Sequence, residues 1–222
     1  MIRRAVDVVV SAGVLLAAAP VLAVAMVLIR LESPGSPIYR QRRVGLDGHE
    51  FDVLKLRTMV AGAERMGAGW AVDAGDARIT RVGAVLRRTS IDELPNLVNV
   101  LRGEMTLIGP RPTLPHQVAQ YTPRQRGRLA VKPGLTGWAQ VNGRAALPWP
   151  ERIELDLHYI EHRSLRMDLE ILRRSVEMVV RGEGTYLGTT GGWTDPPPDP
   201  SSPPGGPPGP PPDGPPSSSP AP

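Results

Sequence analysis

Two adjacent carboxylates, Asp92 and Glu93, are the side chains best placed to do chemistry in this sequence. One carboxylate can attack as a nucleophile while its neighbour ligates a metal ion, and adjacent residues can supply both functions. Arg87 and Arg88 stand just upstream and offer cationic partners to an anionic substrate. A plainer reading competes. Ser90-Ile91-Asp92-Glu93 has the Ser-x-x-Glu form of a capping box, and acidic residues suit a helix N-terminus. Pro95 weakens it, because it would be the fifth helical residue after a Ser90 cap and would forfeit a backbone bond there. If the helix starts at Pro95 instead, both carboxylates lie in the loop before it, freer to act.

In Gly109-Pro110-Arg111-Pro112, prolines on both sides restrict the backbone of a single arginine. Such stiffness suits a preorganised phosphate clamp, although a polyproline-like surface turn with an incidental arginine has the same local sequence. Lys55 and Arg57 alternate at the end of a strand-like run, which makes them a second basic pair or an ordinary solvated face. His158-Tyr159-Ile160-Glu161-His162 matches the H-x-x-E-H pattern of inverzincin metalloproteases. No later His or Cys completes a zinc site, so a charged helix surface is the better reading of that segment.

The elements that position these residues begin with an apolar run. Val8 to Ile29 carries no charge, and at about 1.5 Å per residue it reaches roughly 33 Å, enough to cross a bilayer core. Ala17-Ala18-Ala19 resembles a signal-peptide cleavage site, but Pro20 would follow the cut and the apolar run continues beyond it. Pro20 kinks a helix. Both flanks are basic, with Arg3 and Arg4 before the run and Arg30, Arg40, Arg42 and Arg43 after it. Because basic flanks stay on the cytoplasmic side, a helix that dips in and returns satisfies both, with a tilted single span as the alternative.

Beyond it, Ser33 to Pro37 is a turn cluster and Phe51 to Leu56 reads as a strand. Ile91 to Arg102 reads as a helix stopped at Gly103, and Thr122-Pro123 caps a short basic helix expected to rest on anionic lipid. Pro133-Gly134 and Asn142-Gly143 are turns around Trp138, followed by helices over 150–163 and 164–181. From Asp195 onward the chain is Pro, Gly, Ser and Asp apart from Ala221, a composition that cannot bury a core. The resulting division is a membrane helix over 1–32, a catalytic domain over 33–192 and a disordered tail over 193–222.

Composition narrows the chemistry. The 222 residues contain no cysteine, which excludes disulfides, thiolate catalysis and zinc knuckles. The formal charge of +4 becomes +7 over residues 1–194, because the tail holds three aspartates and no basic residue. A surface of that sign favours phosphates, lipid headgroups or nucleic acid. A membrane-tethered nucleic-acid binder is therefore an alternative function, although 4% aromatics leave few rings to stack on bases.

Five motifs in order, Tyr39-Arg-Gln-x-Arg-Val-Gly-Leu-Asp47, Lys55-Leu-Arg-Thr-Met59, the segment Arg87 to Gly103, Gly109-Pro-Arg-Pro112 and the segment Lys132 to Arg144, resemble the bacterial sugar transferase family. These are the monotopic phosphoglycosyl transferases, and the likeness runs from about residue 1 to 187, leaving the tail without a counterpart. The resemblance implies transfer of a sugar-1-phosphate from a UDP-sugar to polyprenyl phosphate, starting glycan or exopolysaccharide assembly on the cytoplasmic face of the inner membrane. It implies Asp92 as the nucleophile, with a phosphosugar-aspartyl intermediate and UMP release, and Glu93 as a holder of Mg2+. Lys55, Arg111 and Asp168 match positions the family uses at its active site. Arg57, Arg87 and Arg144 join them as expected substrate- or phosphate-binding residues. The implied fold is α/β or α+β, helix-rich, with a re-entrant membrane helix, a single cytosolic domain and interfacial amphipathic helices. The expected partners are the UDP-sugar, the polyprenyl phosphate lipid and the membrane, with no nucleic acid and with homodimerisation left open. One departure stands out: the family's re-entrant helix usually breaks at Ser-Pro, whereas this chain has Ala19-Pro20. The larger members carry extra membrane helices and a second domain upstream, and this chain resembles the small ones.

Overall fold

The computed structural model describes residues 2–63, 66, 75–143 and 147–181. Arg144 and the proline-rich tail therefore lie outside the described residues. The first helix, α1, runs Ile2–Glu32 with Pro20 inside it. Its ends are docked and its middle is not. The Arg4 guanidinium donates to the Leu101 carbonyl at 2.8 Å and to that of Val100, satisfying carbonyls at the end of a following helix. Asp7 accepts from Thr106 Oγ1 at 2.8 Å and the Leu107 amide at 3.1 Å. At the far end Ala25 and Ile29 are buried against Leu56 and Leu86. Between these anchors Val14, Leu16, Val21 and Val24 are exposed.

Two strands follow as an antiparallel hairpin, β1 Ile38–Val44 and β2 Glu50–Leu56, with Tyr39 opposite Lys55 and Arg43 opposite Phe51. The strand expected over Phe51 to Leu56 is thus present. Phe51 and Val53 point inward to Val100 and Met105, the alternation a half-buried strand requires. Helix α2, Arg81–Thr89, is capped by Thr80, whose side chain accepts from the Gly83 amide. The Glu32 carboxylate takes the Arg81 and Val82 amides at 2.7 and 3.0 Å, so α1 also satisfies orphan donors of α2.

A 3-10 turn, Ile91–Glu93, leads into α3, Asn96–Arg102, which stops at Gly103 with φ 82° as expected. The rest of the domain is β3 Thr106–Ile108, α4 Pro115–Ala119, α5 Pro123–Arg126, β4 Gly134–Thr136, α6 Trp138–Val141, α7 Trp149–His162 and α8 Leu165–Arg181. β3 and β4 pair in parallel. A Cβ on Gly134 would lie 2.1 Å from the Gly109 amide nitrogen, so this approach of two chains needs glycine. The sheets are small and the fold is helix-rich and mixed, as the motifs implied.

Two helices bear on the outer surface. In the basic stretch Pro123 to Arg128, Arg128 is buried on Asp156, whereas Arg124, paired with Glu154 at 2.7 Å, and Arg126 are exposed. Helix α8 turns Leu165, Leu169, Leu172, Val176 and Val179 outward, while Asp168 and Ile171 face the domain.

Candidate active site

The chain reverses at Ser90, which holds the left-handed conformation (φ 56°) as the C-cap of α2. Its side chain makes no capping bond to the turn that follows. The capping-box reading therefore does not hold, and Pro95 explains why: without an amide hydrogen it cannot continue a helix from Ser90. Pro95 instead stands at the N-cap of α3. Asp92 and Glu93 are left in a tight 3-10 turn between two helices, the looser placement that the proline suggested.

Glu93 is the electrostatic centre. Its Oε1 accepts from Lys55 Nζ at 2.8 Å, from the end of β2, and from Arg111 Nη2 at 2.6 Å. These two cations hold its carboxyl well below the usual range despite the opposing effect of burial. Asp92 is 9% exposed, and among the described residues no hydrogen bond or ion pair engages its carboxylate. Burial, with the Glu93 charge beside it, raises its carboxyl to about 6, against the pull of Lys55, Arg87 and Arg111. Burial also lowers the Lys55 ammonium, opposed by Glu93. The adjacent acids are thus split: one is paired and held ionised, the other buried, without a partner among the described residues, and more basic.

Arg111 projects from a loop without backbone ladder bonds of its own, because Pro110 and Pro112 have no amide hydrogen. Its carbonyls are held from outside. Gly134 donates to Pro110, Arg128 Nη2 to Arg111 at 2.9 Å, Arg43 Nη1 to Pro112 at 3.2 Å and the Val44 amide to Thr113. The clamp reading of this motif fits that geometry. Arg43, Lys55, Asn96 and Arg111 line one cleft.

The remaining expected residues are dispersed. Arg87 donates from Nε to Thr58 Oγ1 at 2.6 Å, and its charge reaches Asp92. Arg57 does not share a site with Lys55: it donates to the carbonyls of Ser33 and Pro34 and closes the turn after α1. Asp168 accepts from Tyr159 at 2.8 Å and pairs with Arg3 at 2.9 Å, tying α8 to the start of α1. His158 and His162 stack with ring centroids 4.4 Å apart. Among the described residues no group of three His, Cys, Asp or Glu side chains forms a metal cage.

Magnesium needs less than a cage, since one or two carboxylates plus substrate phosphates suffice. The Asp92-Glu93 pair fits that donor set, because both cations bond Oε1 of Glu93 and neither engages Oε2. Arg43, which lies in the Tyr39 motif without an assigned role, is a further charged group near Arg111, as are the Arg128–Asp156 pair and Arg152. The signal for them is indirect: two prolines in four residues leave carbonyls that need donors from elsewhere.

An acid pair under two cations, on a domain docked to a helix long and apolar enough to cross a membrane, is the arrangement that the motifs implied for a sugar transferase. The chain belongs to the bacterial sugar transferase family, whose sequence model matches residues 1–182. It is 40% identical over 185 residues to "Uncharacterized sugar transferase EpsL" of Bacillus subtilis, covering 83% of this chain and 90% of the relative. It is 43% identical over 192 residues to a UDP-glucose:undecaprenyl-phosphate glucose-1-phosphate transferase of Caulobacter vibrioides, covering 83% and 72%. A UDP-N-acetylgalactosamine-undecaprenyl-phosphate N-acetylgalactosaminephosphotransferase of Aeromonas hydrophila is 40% identical over 189 residues, covering 82% of this chain and 44% of the relative.

Proposed function

We propose that this protein transfers a sugar-1-phosphate from a UDP-sugar to polyprenyl phosphate in two displacements. The observation that carries the reading is the buried Asp92 carboxylate, without a partner among the described residues, beside a Glu93 that already engages Lys55 and Arg111. An Asp92 oxygen attacks the phosphorus that bears the sugar, the bridging phosphoanhydride bond breaks, and UMP leaves with its electron pair. A phosphate oxygen of the polyprenyl phosphate then attacks the same phosphorus and displaces the Asp92 carboxylate. Both substrates are anionic, so positioned cations reduce the repulsion between them. Lys55 and Arg111 stand closest to the acid pair, with Arg87 behind. Magnesium bound by Glu93 and the substrate phosphates would add charge neutralisation at the diphosphate.

A membrane location follows from a lipid substrate, and the docking of α1 supports a particular arrangement. Both ends of α1 bond to the same domain, which supports the reading of a helix that enters one leaflet and returns to the cytoplasmic face, with Pro20 as the place for a bend. The outward apolar stripe of α8, next to the exposed Arg163 and Arg166, lies along the headgroup layer. Relatives named for glucose and for N-acetylgalactosamine match 83% and 82% of this chain, so donors of both kinds belong in the test. The test is UMP release from a panel of UDP-sugars with polyprenyl phosphate and magnesium. Activity with at least one donor that Asp92→Asn abolishes supports the proposal. Full activity in that variant rules it out.

A further inference from the structure

We infer that Arg128 and Arg43 are positioning residues that act through Arg111, by holding its loop from two sides; the inference rests on Arg111 serving the phosphoryl centre. Four consecutive carbonyls, Pro110 to Thr113, each accept a bond from outside the loop, from Gly134, Arg128 and the adjacent β1 residues Arg43 and Val44. Two of those donors are backbone amides, from Gly134 and Val44. The other two are guanidinium groups, and they bond the carbonyls of Arg111 and Pro112, the residues that set the direction of the Arg111 side chain.

Arg128 suits this task because it is itself immobilised. It is 5% exposed and donates from Nε to Asp156 Oδ2 at 2.7 Å and from Nη1 to the Tyr121 hydroxyl at 2.7 Å. Thr113 Oγ1 is a further partner, and the Trp149 ring lies 5.4 Å from its guanidinium carbon. Tyr121 in turn donates to Thr113 at 3.0 Å. With Asp156, Tyr121 and Thr113 engaged, the Nη2 bond to the Arg111 carbonyl has a fixed direction. A lysine keeps the charge but has no planar fork and cannot serve four partners in this geometry. Arg43 holds the other side from β1, where Gln41 Oε1 accepts from its Nε at 3.1 Å. The chain of contacts runs Asp156, Arg128, Arg111, Glu93, from α7 to the acid pair.

Three guanidinium groups at one loop repel one another. Burial, followed by the nearby Arg111 charge, brings Arg43 down to about 10. Arg111 leans away from its two neighbours toward Glu93, where its charge has a partner. Loosening the loop would release Arg111 from that contact and from the acid pair.

The experiment is a double-mutant cycle on the full chain in lipid nanodiscs, reading kcat and KM of UMP release, with melting curves for every variant. Arg128→Lys alone is expected to lower kcat about 10-fold to 100-fold while KM for the UDP-sugar changes less than about threefold. In an Arg111→Ala background the same change is expected to alter the rate less than about twofold, since residues acting through one another are not additive. An equal fold-loss in both backgrounds, or a loss carried by KM with kcat unchanged, would overturn the inference. Arg43→Lys carries the same cycle if Arg128→Lys does not fold. Full activity in Arg111→Ala would instead overturn the assignment of Arg111, on which this inference stands.

Discussion

Arg111 Nη2 and Lys55 Nζ converge on one oxygen of Glu93, at 2.6 and 2.8 Å, from positions 56 residues apart in the chain (111 minus 55). The arrangement keeps Glu93 ionised and places two positive groups beside Asp92. Lys55→Met and Arg111→Met are each expected to lower kcat/KM by at least about 100-fold, the order of loss seen when one electrostatic donor is removed from a reacting centre. Arg111→Lys, which keeps charge without the fork, is expected to lose less than Arg111→Met. Steady-state UMP release checks both, and equal losses would argue against a geometric role for the fork.

The pH dependence follows from Asp92. A nucleophilic carboxylate must be ionised, and its carboxyl is raised to about 6 by burial and by Glu93. The rate is expected to climb with pH below about 6 and to level off above it. Glu93 raises Asp92 by its charge, so Glu93→Gln should move the midpoint to lower pH in whatever activity remains. A midpoint near 4 in the parent protein would mean that Asp92 is not desolvated in the way the structure shows.

Stability has the opposite pH sign for the two acids. The native Asp92 pKa lies above its unfolded value, so its contribution is present at low pH and is lost as pH rises through about 6. At pH 7 the ionised form destabilises the fold. Asp92→Asn should therefore raise stability by about 1 to 3 kcal/mol, at roughly 1.4 kcal/mol per pKa unit, while removing activity. Glu93 is held below its ordinary pKa, so its contribution is present at neutral pH and is lost on acidification. Glu93→Gln should lower the melting temperature at pH 7 because it weakens the pairing of Lys55 and Arg111. Melting curves at pH 5 and pH 7 separate the two effects.

The membrane arrangement is testable because the chain has no cysteine to interfere. Ile2 and Leu31 are 82% and 79% exposed at opposite ends of α1. Ile2→Cys and Leu31→Cys are both expected to react with an impermeant maleimide from the cytoplasmic side only. Labelling of the two from opposite sides would mean that α1 spans. On α8, Leu169→Glu should reduce retention on anionic vesicles without disturbing the domain, because Leu169 is exposed.

Much of this was legible in the residues. Helices α7 and α8 begin and end within a residue of the expected boundaries, because apolar spacing and glycine or turn signals coincide there. Pro95 alone separated a capped helix from a loop carrying Asp92 and Glu93. Lys55 and Arg111, two of the expected site residues, meet at Glu93, but Arg57 does not join Lys55. Strand alternation puts side chains on a common face without saying what each one reaches, and Arg57 finds free carbonyls at the end of α1. The roles of Arg43, Arg128 and Asp156 were not legible, because the contacts that join them to the Arg111 loop are to groups distant in sequence. The outward stripe of α8 was equally hidden, since helical spacing shows that a face is apolar and not what covers it.

Covalent capture on Asp92 is the most direct measurement. The protein would be mixed with its UDP-sugar and magnesium in the absence of polyprenyl phosphate, with UMP quantified and peptide masses read after trypsin. Attack by Asp92 is expected to release about one UMP per active site and to leave a sugar-phosphate mass on the peptide Thr89–Arg102, which disappears on addition of polyprenyl phosphate. No UMP and no adduct until the lipid is added would indicate a single direct displacement and contradict the role assigned to Asp92.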